Sequence, residues 1–89
     1  MRIRDLQGLG VKSEQQLAAV GITTVESLLA ADPFEVYARL REVYPRLSLN
    51  FIYALIGAQE GVPWQQVARE RKTEILLRLE ELGMAPGQA

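Results

Sequence analysis

The chain has 89 residues, with ten Lys plus Arg against eleven Asp plus Glu, a length that fits one domain with a thin core. Its net charge of −1 speaks against a dedicated nucleic-acid binder, which is usually clearly basic. It has no Cys and no His, which excludes thiol nucleophiles, imidazole bases, a disulfide framework and the usual zinc ligands.

The first residues, Met1-Arg2-Ile3-Arg4-Asp5, contain no apolar signal-peptide core. No apolar run approaches the ~20 residues of a membrane span. These features predict a complete small cytoplasmic protein that makes no membrane contact. No period-2 strand pattern and no Asn-Gly hairpin dipeptide occurs, whereas helix punctuation recurs. The expected fold is all-α, a small bundle of five or six short helices. It spans residues 1–84, with Ala85 to Ala89 as a flexible tail.

In chain order, a first short helix is expected from Arg2 to Gln7, with Ile3 and Leu6 inward. Gly8-Leu9-Gly10 forms a turn, and a second helix follows from Lys12 to Val20, ended by Gly21. Together these make a helix-hairpin-helix-like start. A third helix begins near Thr23 or Thr24, with Thr23 and Glu26 spaced as a capping box. Leu28 and Leu29 are expected inward. Asp32-Pro33 opens the fourth helix, whose apolar residues are Val36, Tyr37, Leu40, Val43 and Tyr44; Pro45 stops it.

Ser48 is expected to cap a fifth helix that is apolar nearly all round, from Leu49 through Ile56. Such a helix belongs in the middle of a bundle. Gly57 and Ala58 are small enough for close approach, and Gly61 ends the element. The last helix has its main body from Glu70 to Leu82, with Ile75, Leu76, Leu79 and Leu82 inward. Whether Trp64 to Ala68 forms a turn of its own stays open at this level.

The candidate site is the Gly8-Leu9-Gly10-Val11-Lys12-Ser13 stretch. Backbone N–H groups near Gly8, Gly10 and Val11 could hold a DNA phosphate, with Lys12 adding charge and Ser13 a hydroxyl donor. Contacts of that kind position a protein on DNA without reading sequence, and one hairpin gives few of them. The plainer reading is a tight turn between helices. Arg39, Arg41 and Arg46, and Arg69, Arg71 and Lys72, read as solvated faces, because Glu35, Glu42, Glu70 and Glu74 lie among them. The aromatic residues follow helical spacing and read as core. Trp64, after a Gly-Val-Pro turn, is the exception and marks a candidate interaction surface. Asn50, on an otherwise apolar helix, reads as a polar group satisfying nearby backbone. Catalysis finds no constellation: the serines lack a base, and no carboxylate pair sits in an apolar context.

The residues Leu9-Gly10, Lys12-Ser13-Glu14, Leu17, Gly21-Ile22-Thr23-Thr24 and Leu28, followed by Ser48-Leu49-Asn50, Tyr53-Ala54-Leu55, Gly57-Ala58, Gly61 and Trp64, form a recognisable pattern. In it the chain resembles the C-terminal domain of the TfoX/Sxy family, regulators of natural DNA transformation competence. The resemblance covers about residues 1 to 82. Larger members look like two-domain proteins with an α/β domain in front, and no such domain stands in this sequence. The resemblance implies a bacterial, non-enzymatic regulatory domain of the transcription-regulator kind. It would act mainly through a protein partner or self-association, with no cofactor and no small-molecule substrate. Weak DNA-backbone binding through residues 8–13 is the alternative.

Overall fold

The computed structural model describes residues 1–84, so the expected tail at 85–89 lies outside the described residues. All regular structure described is helical: a 3-10 turn at Ile3–Asp5, then α1 (Val11–Ala18), α2 (Val25–Ala30), α3 (Pro33–Val43), α4 (Asn50–Glu60) and α5 (Trp64–Glu81). The all-α bundle read from the sequence is the fold.

Central α4 packs chiefly on α5 and then on α3. It buries Ile52, Tyr53, Leu55, Ile56, Gly57 and Ala58. Around them close Leu17 of α1, Leu28 of α2, Val36, Tyr37 and Leu40 of α3, and Val67, Ile75 and Leu79 of α5. Burial of each large aliphatic side chain contributes about 1.5–3 kcal/mol. Because α4 presents apolar residues on most sides, it needs neighbours on most sides, and the bundle supplies them. The Tyr53 hydroxyl is buried with no hydrogen-bond partner among the described residues. Burial pushes its acidity constant up.

Two features hold the C-terminal end of α4. A Cβ placed on Gly57 would lie 2.6 Å from the carbonyl oxygen of Val62. Only glycine therefore lets the turn into α5 fold this closely over the helix. Gln59 reaches across to α2, and its amide Nε2 donates to the carbonyls of Leu28 at 3.0 Å and Ala31 at 2.8 Å. Carbonyls at a helix C-terminus lack partners within the helix; the Leu28 carbonyl already accepts from the Ala31 N–H at 3.2 Å, so Gln59 adds a second donor there and supplies one to Ala31.

Several local expectations shift. Instead of a helix from Arg2 to Gln7 there is a single 3-10 turn. The Asp5 carboxylate accepts from the Arg2 backbone N–H at 3.0 Å, closing that turn, and Leu6 then leaves in an extended conformation. Two α-helices flanking Gly8–Gly10, as a helix-hairpin-helix has, are therefore not what surrounds this turn. The capping box at α2 is formed by Thr24 and Ser27, with Ser27 N–H donating to Thr24 Oγ1 at 3.1 Å and Thr24 N–H to Ser27 Oγ at 3.3 Å. It lies one residue beyond the expected Thr23–Glu26 pair. That start places Leu28 fully inside and leaves Leu29 49% exposed.

Asp32 caps α3 through the Phe34 N–H at 2.9 Å with Pro33 in the first turn. Val43 is 51% exposed, because Tyr44 takes the inward register after Leu40. Ser48 accepts from the Asn50 N–H at 3.1 Å. Asn50 itself is exposed on the first turn of α4, not embedded among apolar residues. Finally, Trp64 opens an unbroken 18-residue α5. Leu82 falls after its end and is 44% exposed.

Candidate interaction groove

Between the Gly8 turn, α1, the α3–α4 connection and the start of α5 lies an open groove of about 830 Å³. Three distant parts of the chain build it. Gly8, Lys12, Ser13 and Gln16 come from the first, residues 43–48 with Asn50, Phe51 and Ala54 from the second, and Trp64 from the third. Tyr44, Leu47, Phe51 and Trp64 are each half-buried and pack against the core with the rest of their surface toward the groove. The expectation that the aromatic residues are core thus holds in full for Tyr37 and Tyr53 and in part for Tyr44 and Phe51, with Trp64 the expected exception.

Gly8 has φ +79°, a left-handed conformation that a side chain would strain. A Cβ there would meet the Trp64 ring at 3.8 Å. The turn is thereby seated on the indole, which explains why two candidates far apart in sequence meet. Lys12 and Ser13 line the same groove. Gly10 and Val11 do not. Gly10 is the extended N-cap of α1, which has no side-chain cap, and Val11 is 48% exposed.

The charges at the start of α1 are partly paired. Arg4 makes a two-pronged pair with Glu14 of α1, Nε at 3.1 Å and Nη2 at 2.7 Å from Oε1, and the Arg4 backbone N–H donates to Oε2 at 3.0 Å. These bonds hold the Glu14 carboxyl below the usual carboxylate range and push the Arg4 guanidinium up. Arg4 is therefore committed to Glu14, and a carboxylate sits within the first turn of α1. Of the basic groups expected to read as solvated faces, Arg39 pairs with Glu35 at 3.1 Å, and Arg71 bridges Glu60 and Glu74, at 2.5 Å and 3.4 Å. Arg41 donates to the Met84 carbonyl at 2.9 Å.

Sequence reasoning singled out Gly8, Lys12, Ser13 and Trp64. It missed Tyr44, Arg46, Leu47 and Phe51, which carry no local motif. For the first three the one signal is composition: a Tyr-Pro-Arg-Leu break between two apolar helices, where large apolar residues would have no helix face to bury them; Phe51, inside α4, gives none.

No helix among the described residues is long and apolar enough to cross a membrane. No curated protein matches the chain. The crystal structure of an uncharacterized protein from Listeria monocytogenes (triclinic form) is similar, with a TM-score of 0.81 and 26% identity, over 96% of this chain and 98% of that one. The model of the TfoX C-terminal domain matches residues 1–79. The chain belongs to the TfoX C-terminal domain family, a family of regulatory domains.

Proposed function

We propose that this domain is a non-enzymatic regulator that works by protein contact, and that the groove is its contact surface. The observation that carries this reading is the apolar floor made by Tyr44, Phe51 and Trp64, with exposed Val43 at its rim. Large apolar surface in a concave site is what partner side chains fill. Family membership supports the regulatory part, and competence regulation is the process the resemblance implies. The competing reading, DNA-backbone binding through Gly8, Gly10, Val11, Lys12 and Ser13, has the bare N–H groups of α1 and Lys12 in its favour. Against it stand the net charge of −1 and the engagement of Arg4 by Glu14.

The test is fluorescence anisotropy of a labelled duplex of about 20 base pairs, titrated at low and moderate salt, since phosphate contacts give salt-dependent affinity. The protein is used as wild type and as Lys12→Glu. No binding by wild type at low salt is expected. Salt-dependent binding that Lys12→Glu removes would overturn the reading and transfer the function to nucleic acid.

A further inference from the structure

The groove is one-sided in charge as well as apolar. Lys12 comes from α1 and Arg46 from the α3–α4 connection, and no carboxylate lines the space between them. Both cations are exposed. Arg4, Arg39, Arg69, Arg71 and Arg78 are each paired with a glutamate; Lys12 and Arg46, like Arg2, Arg41 and Lys72, are in none of the described ion pairs, but only Lys12 and Arg46 share the groove. In a chain with more acids than bases, a patch with two cations and no acid stands out. The first turns of α1 and α4 also border the groove through Ser13 and Asn50, and helix N-termini add partial positive charge.

From this we infer that the groove's occupant is an acidic amphipathic helix of a partner protein. The inference rests on the protein-contact reading above. The apolar floor requires large apolar side chains on the occupant, and Lys12 and Arg46 require carboxylates beside them. A helix meets both demands, because it displays charges on both flanks of an apolar stripe. No strand occurs among the described residues, so no sheet edge offers itself to an extended peptide, and a proline-rich segment would supply no carboxylates for Lys12 and Arg46; helix-in-groove docking meets both demands. A nucleic acid would need more cations than these two, in a chain whose net charge is −1. This chain's own α5 carries exposed Leu77, but a single leucine among Glu70, Glu74 and Glu81 fills little of an apolar floor.

Trp64 is the chain's sole tryptophan, so its emission reports occupation of the groove directly. The experiment titrates the full chain with two peptides of about 16 residues, long enough for the apolar face to span four turns. Both carry leucines at helical spacing; one has glutamates on the flanks, the other lysines. The glutamate peptide is expected to shift Trp64 emission and to bind about tenfold more tightly at low salt, with the advantage shrinking as salt is added. In the double variant Lys12→Glu, Arg46→Glu, with helicity checked by circular dichroism, the preference is expected to reverse.

Equal affinity for both peptides, or preference for lysine in wild type, would overturn the acidic-partner inference and leave the protein-contact reading standing. No response to either peptide would overturn the acidic-partner inference, and salt-dependent binding of the labelled duplex would overturn the protein-contact reading with it. An emission change on concentrating the protein alone, with both peptides silent, would overturn the inference in favour of a second copy as the occupant.

Discussion

The two ends of α4 are built in opposite ways. At its C-terminal end every feature closes: Gly57 admits the backbone of the following turn, and Gln59 ties the helix to α2. At its N-terminal end the helix opens, with Asn50 exposed and Phe51 and Ala54 turned partly toward a groove. The difference teaches where stability and recognition are kept apart. Substitutions at the closed end should unfold the domain, whereas those at the open end have surface to spare.

The sharpest way to break this contrast is Gly57→Ala. Its Cβ would meet a backbone oxygen at 2.6 Å, which cannot rotate away as a side chain could. Overpacking of this kind should lower stability by roughly 2 kcal/mol or more even after alanine's better helix propensity. Thermal denaturation should show a midpoint lower by about 8–16 °C. An unchanged midpoint would mean that this end is not closed at all.

Next in size is Gln59→Ala, which removes the donor to the Ala31 carbonyl and one of the two donors to the Leu28 carbonyl. A loss of about 1–2 kcal/mol in urea unfolding is expected, with an unchanged denaturant slope. The smallest effect belongs to the ion pair between Arg4 and Glu14 of α1. Arg4 holds the Glu14 carboxyl below its ordinary value, so its contribution is present above the ordinary glutamate range and is lost as pH falls through the lowered value. Stability followed from neutral pH down to about pH 3 should therefore fall more steeply in wild type than in Glu14→Gln, with the two curves converging at acid pH. Parallel curves would mean that the pair adds nothing to folding.

How far the sequence reveals these regions follows from the range of each interaction. The start of α3 is legible because Asp32, Pro33 and the residues they cap are neighbours. The central place of α4 is legible because an all-apolar helix has only one place to go. The first element misleads because Asp5 can close a turn on Arg2 as readily as it can begin a helix, and nothing local decides between them. The groove was half legible. Gly8, Lys12, Ser13 and Trp64 are marked by glycine, charge and aromatic character, but Arg46 and Phe51 join them only through tertiary packing. Gln59 gives no sign of its role, since its acceptors lie 28 and 31 positions away.

That long reach has a consequence in time. Helix α2 has six residues, too few to persist alone in water, where isolated helices of under about 12 residues are marginal. Its last turn has one bond of its own, Ala31 N–H to the Leu28 carbonyl, and takes its other two from Gln59 of α4, so its end is fully satisfied only once α4 is in place. Contacts between residues so far apart in the chain carry the larger loop-closure cost and tend to form late, and a contact made after the folding barrier is a brake on opening rather than a driver of closing. Gln59→Ala is therefore expected to speed unfolding more than it slows folding, which stopped-flow kinetics in urea would check.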